Sequence, residues 1–100
     1  MVIKTTKNEL GNKHLEGLSI LAFRATWCPP CQMMGPELER LSELHSDIKI
    51  FDVDVDQNIV FAREMKVNGI PSFFLYKDGE LIENTAGYMP AEELAKKLGK

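Results

Sequence analysis

Ser19-Ile20-Leu21-Ala22-Phe23-Arg24-Ala25-Thr26-Trp27-Cys28-Pro29-Pro30-Cys31 is the stretch from which the rest of the chain is read. Its first seven residues form a short run, apolar on both faces and too short for a typical helix. That pattern suits a central strand covered on both sides. The two cysteines that follow are the only two in the chain. They stand three residues apart, where a strand gives way to a helix. One helical turn places such residues about 5 Å apart at Cα, inside the window of roughly 4.4 to 6.8 Å that a disulfide accepts. The pair can open and close with little backbone movement. A ring this small removes little entropy from the unfolded chain, so cycling, rather than stapling, is the use it suggests.

Outward from this stretch, the pattern alternates strand and helix. Val2 to Thr5 reads as a short edge strand, and Asn8 to Leu15 as a weak helix capped by Asn8. Met33, Met34, Leu38, Leu41 and Leu44 recur at helical spacing toward His45, and Pro36 should kink that helix. Ile48 to Val55 reads as a second central strand, and Asn58 to Lys66 as a short helix. Ser72 to Lys77, Asp78-Gly79 and Glu80 to Ala86 read as a hairpin. Pro90 opens a last helix striped by Leu94 and Leu98. The order is β-α-β-α-β-α-β-β-α. Strand-helix-strand units imply parallel pairing with right-handed crossovers, and the hairpin adds antiparallel strands. The expected fold is α/β: one domain over residues 1–100, with a mixed sheet of four to five strands and helices on both faces.

Bulk properties narrow the function. A 44 % apolar content and a formal charge of −3 suit a globular protein and give no reason to expect nucleic acid or an anionic membrane as partner. No apolar run is long enough to span a bilayer. The first residues lack the apolar core of a secretory signal, so a cytoplasmic setting is expected. Two cysteines at C-x-x-C there point to redox or metal chemistry before structural bridging. Zinc needs about four ligands, and His14 and His45 have no ligand-like spacing to the pair, so no metal is expected. Two inert buried thiols are the bland alternative.

The chain resembles a thioredoxin. The likeness covers nearly its whole length and is carried by separated signals. These are Ala25-Thr26-Trp27-Cys28-Pro29-Pro30-Cys31 after a strand, Pro36 in the next helix, Val55-Asp56-Gln57-Asn58, Gly69-Ile70-Pro71-Ser72, Asp78-Gly79, and Gly87. The resemblance implies the thioredoxin fold and reduction of protein disulfides by dithiol-disulfide exchange. It makes Cys28 the attacking thiolate, favoured by the helix N-terminus, and Cys31 the resolving thiol. It makes Pro71 a cis-proline facing them, with Ile70 offering backbone groups to an extended substrate. Trp27, Pro30, Gly87 and Tyr88 would border the groove. It also implies no bound cofactor, electrons from NADPH through a flavin-dependent thioredoxin reductase, protein disulfide clients, and a monomer. Trp27 has a plain reading as core beside its reading as a substrate platform.

Three positions depart from the family pattern. Pro29 stands where Gly is usual, so two successive prolines remove amide donors near Cys28, and the redox potential should differ from that of a Gly-Pro site. Ala22 stands where a buried Asp is usual, and Asp52 where its lysine partner would be. Asp52 is a candidate to replace the missing acid. As a buried carboxylate without a cation it would hold its proton near neutral pH and assist Cys31. The other reading makes it a solvent-facing residue of an acidic strand end with Asp54 and Asp56. Arg24 stands at a commonly aromatic position, where it either favours the Cys28 thiolate or snorkels to the surface. These departures keep two other functions open: a redox partner specialised for one client, and a redox-inactive binding module.

Overall fold

A computed structural model of the chain describes residues 1–100. Its sheet has five strands: β1 Val2–Lys4, β2 Leu18–Arg24, β3 Ile48–Asp54, β4 Ser72–Lys77 and β5 Glu80–Ala86. They lie in the order β1-β3-β2-β4-β5. The β1–β3 and β2–β3 pairs are parallel, and the β2–β4 and β4–β5 pairs are antiparallel. The four helices are α1 Lys7–Leu10, α2 Pro29–Leu44, α3 Ile59–Glu64 and α4 Ala91–Lys97.

Side-chain alternation along the central strands sorts the core into two layers. Ile20 and Ala22 of β2, Ile48 and Ile50 of β3, and Phe73 and Leu75 of β4 face α2 and α4, against Met34, Leu38, Leu41 and Leu94. Leu21 and Phe23, Phe51 and Val53, and Phe74 and Tyr76 face the other way, against Leu10 of α1 and Phe61 of α3. There Phe23 meets Phe61 and Phe74 edge-on, with ring centroids 5.3 and 5.6 Å apart. The double-sided apolar character of β2 thus puts it at the sheet centre, and its C-terminal end carries the cysteines out at the edge of both layers.

The hairpin turn shows why its sequence is Asp-Gly. Asp78 and Gly79 both have positive φ, 49° and 86°, the conformation of a two-residue turn matched to strand twist. α2 continues on both sides of Pro36. Near the N-terminus the single weak helix expected from Asn8 is replaced by two pieces. α1 is capped by Thr6, whose hydroxyl accepts the Glu9 amide at 3.3 Å. Gly11, at φ 53°, ends it, and Lys13–Leu15 forms a separate 3-10 turn. Thr6 and Glu9 form a capping-box spacing that outcompetes Asn8. No helix is long and apolar enough to cross a membrane.

Candidate active site

Cys28 is the residue immediately before α2, with extended backbone (φ −94°, ψ 114°), and Pro29 and Pro30 fill the first two helical positions. Proline fits there because its φ suits the helix and the missing N–H had no intrahelical partner to lose. Cys31 follows within the first turn. Both thiols are free. Neither is widely open: Cys28 is 6 % exposed and Cys31 1 %. An attacking thiol suggests open access, whereas Cys28 reaches solvent through a narrow window. Ala25, Cys28 and Cys31 form a small apolar cluster, flanked by Val55 and Ile70.

Of the residues expected to border a groove, Ile70 lies against Cys28 and Gly87 is bonded to Pro71. Trp27 is 66 % exposed, so it lies at the surface and not in the core. Its indole Nε1 donates to Asp56 Oδ2 at 2.7 Å, fixing the ring beside the cysteines. Pro30 is exposed, Ile70 and Gly87 are half-buried, and Tyr88 is exposed. The Cys28 sulfur lies 4.0 Å from the Ile70 carbonyl oxygen. The Ile70–Pro71 peptide is cis, and Pro71 is buried. The Gly87 amide donates to the Pro71 carbonyl at 2.8 Å, which ties the loop after β5 to the one before β4. Sequence reasoning missed an apolar groove of about 390 Å³ that runs from Ile70 along α3, lined by Val55, Ile59, Ala62 and Val67. Its signal was Ile59 at the start of α3, a large apolar side chain that is 59 % exposed.

Asp52 is where the structure departs most from expectation. It is buried, at 7 % exposure, and sits beside Ala22 in the parallel β2–β3 register. It does not lack a cation. Arg24 Nε donates to Oδ1 at 2.9 Å and Arg24 Nη2 to Oδ2 at 2.6 Å, a two-pronged ion pair. The unpaired carboxylate expected as a proton shuttle is therefore corrected: both oxygens are engaged. Arg24 is equally redefined. It neither snorkels free nor addresses Cys28; its Nη1 donates to the Cys31 carbonyl at 2.8 Å. The Asp52 pair raises its pKa, against an opposing effect of burial, and the nearby Cys31 adds to the rise.

Burial pushes the Cys31 thiol up from an ordinary 9.0 to about 11; a hydrogen bond with the Cys28 sulfur and that sulfur's charge push the same way, and the Ala25 amide and Arg24 oppose them. At neutral pH the Cys31 thiol therefore keeps its proton. No group of three or more His, Cys, Asp or Glu side chains is assembled to hold a metal ion.

With a C-x-x-C pair at a helix start, a strand-helix order leading into it and a five-strand mixed sheet in place, comparison with known proteins is decisive. The thioredoxin family model matches residues 2–100. The chain belongs to the thioredoxin family. A thioredoxin of Staphylococcus epidermidis is 36 % identical over 99 % of this chain and 96 % of its own length. One of Staphylococcus aureus is 35 % identical with the same coverage. Among solved structures, a mutant thioredoxin of Halobacterium salinarum superposes with a TM-score of 0.86 at 31 % identity, over 95 % of this chain and 85 % of that one. A chain from a study of thiol resolution in a yeast mitochondrial 1-Cys peroxiredoxin gives 0.86 at 30 %, over 99 % and 95 %. Members of the thioredoxin family are protein-disulfide oxidoreductases that bind no cofactor of their own, and this thioredoxin-family chain carries the dithiol that activity uses.

Proposed function

We propose that the chain, acting as one domain over residues 1–100, reduces protein disulfides with Cys28 as nucleophile and Cys31 as resolving thiol. The observation that carries the assignment is the placement of the pair: Cys28 stands at the helix start with its sulfur 4.0 Å from the Ile70 carbonyl, and Cys31 follows within the first turn at 1 % exposure, where burial pushes its thiol up. Cys28 as thiolate attacks a client disulfide and forms a mixed disulfide. Cys31 then attacks the Cys28 sulfur, the reduced client leaves, and the pair remains oxidised.

An extended client segment would lie across Ile70 and the cis Pro71, bordered by Trp27, Pro30, Gly87 and Tyr88, with an apolar side chain entering the groove along α3. Pro71 has no N–H and so shapes this surface without offering a donor. Electrons would come from NADPH through a flavin-dependent thioredoxin reductase, and the setting would be a reducing cytoplasm with the protein as a monomer. The proline at Pro29 and the Arg24–Asp52 pair also favour a narrower reading, service to one specialised client.

Insulin reduction tests both. Turnover with dithiothreitol and also with thioredoxin reductase and NADPH is the result expected of a general reductase. Turnover with dithiothreitol alone selects the specialised reading. No turnover with either, or full turnover after Cys28→Ser, overturns the assignment.

A further inference from the structure

Three features converge on Cys31 from the side away from the client groove. Arg24 reaches under α2 from the end of β2 and donates to the Cys31 carbonyl while both its other nitrogens hold Asp52. Gly35, one turn further along α2, makes room for it: a Cβ there would stand 3.3 Å from Arg24 Nη1. A polar cleft of about 600 Å³ opens onto the same place, lined by Lys4, Arg24, Thr26, Cys31, Gln32 and Asp52 among others.

We propose that Arg24, fixed in place by Asp52, supplies the positive charge that lets Cys31 ionise when it closes on Cys28, and that the thiol proton leaves through this cleft to solvent. The inference rests on the exchange reaction proposed above. In this step Cys31 S–H gives its proton to water in the cleft. The Cys31 thiolate attacks Cys28 Sγ, the Cys28–Cys31 bond forms, and the bond from Cys28 to the client sulfur breaks. The client sulfur leaves with the electron pair and takes a proton from solvent. The client disulfide is reduced and the Cys28–Cys31 dithiol is oxidised.

The state of Cys28 at that moment matters. In the free dithiol, Cys28 raises the Cys31 pKa both by sharing a hydrogen bond and by its charge. In the mixed disulfide Cys28 is uncharged, so both contributions vanish. Burial still opposes ionisation. The groups that favour it are the Ala25 amide and Arg24. The charged and titratable groups acting on Cys31 are Cys28, at the cap of its own helix, and Arg24 from β2; Asp52 from β3 lines the same cleft. Asp54 from β3, with Lys4 from β1 and Glu9 from α1, lies along the cleft wall. Asp52, with both oxygens on the guanidinium, is a positioning residue for Arg24 and not the proton acceptor.

The two roles predict opposite signs. Asp52→Asn keeps one acceptor oxygen to hold Arg24 while it removes the opposing charge, so it leaves more of the Arg24 field on Cys31 and speeds resolution; removing a proton-accepting carboxylate slows it. The full chain is reduced and mixed with 5,5′-dithiobis(2-nitrobenzoate). The first release of thionitrobenzoate reports attack by Cys28. The second reports attack by Cys31 on the mixed disulfide, followed by stopped flow from about pH 5 to about pH 9.

For Arg24→Gln/Asp52→Asn, which removes both charges without stranding one, the second release should slow about tenfold at neutral pH, equivalent to a shift of about one pH unit in the profile. Arg24→Lys should restore most of the loss, and Asp52→Asn alone should accelerate the second release. An unchanged second-release profile in the double variant overturns the proposal. So does an Asp52→Asn variant as slow as, or slower than, the parent, and that single variant decides by its sign if the double one fails to fold. A parent chain that gives no second release instead overturns the exchange reaction itself.

Discussion

The side-chain carboxylate of Glu37, on α2, accepts the backbone amide of Ala91 at 2.9 Å, across 54 residues of sequence. It thereby closes the N-terminus of α4, whose own cap residue, Pro90, has no side chain able to do so. Arg40 holds the Glu37 carboxylate at 2.6 Å and also pairs with Glu92 in the first turn of α4. One residue before Pro90, the Met89 amide donates to the Met34 sulfur at 3.4 Å. The loop carrying Gly87 and Tyr88 is therefore tied to the cysteine-bearing helix at two amides.

The first prediction follows from that cap. Glu37→Ala should lower stability by about 1 kcal/mol, the usual cost of removing a capping acceptor. Glu37→Gln keeps an acceptor oxygen and should recover most of the loss. Urea denaturation of the reduced proteins measures both. Equal midpoints for the Ala and Gln variants would show that Glu37 closes nothing.

Much of this fold is legible in local pattern, because local physics decides it. The apolar run Ser19 to Ala25 marks a strand covered on both faces, Asp78-Gly79 marks the β4–β5 turn by the φ values it permits, and the prolines after Cys28 mark a helix start. The first helix starts earlier than Asn8 suggests although its signal is local: Thr6-Lys7-Asn8-Glu9 is a capping-box spacing, and Asn8 falls inside it. The Arg24–Asp52 pair was not legible for another reason. It forms between strands 28 residues apart in sequence that become neighbours only through the crossover, with Ala22 opposite Asp52 and Arg24 opposite Asp54. The available clue was parity. Arg24 shares a face with Ile20 and Ala22, and Asp52 shares one with Ile48 and Ile50, so each strand puts one charge at the same end of the same apolar face.

A second prediction concerns the platform beside the cysteines. Trp27 is the only tryptophan, is 66 % exposed, and is held by its hydrogen bond to Asp56. An exposed indole without that bond would sample several rotamers and lose part of its preorganised contact with a client. Asp56→Ala should raise KM for a protein disulfide by roughly fivefold, the equivalent of about 1 kcal/mol for one hydrogen bond, with a smaller effect on kcat. The fluorescence anisotropy of Trp27 should fall in the same variant. Unaltered anisotropy together with unaltered KM would remove the platform role.

The last prediction is a pH dependence of stability in the reduced protein. Burial first, and Cys28 second, hold the Cys31 thiol up at about 11 against an ordinary 9.0. Between those values the unfolded chain has given up the Cys31 proton while the folded chain keeps it. The folded state then binds more protons, so stability falls as pH rises. The contribution is complete below the unfolded value and is lost as pH climbs through the folded one. Urea midpoints of the reduced chain should therefore drop from about pH 9 to about pH 11 more steeply than those of a Cys31→Ala variant. The lysines and tyrosines common to both chains cancel in the difference. Alkylation gives an independent reading: iodoacetamide should modify a single thiol of the folded protein at neutral pH, and the second only in alkali or after unfolding. Parallel loss of stability in the two chains, or modification of both thiols at neutral pH, would mean that Cys31 is not the buried, protonated partner on which the exchange depends.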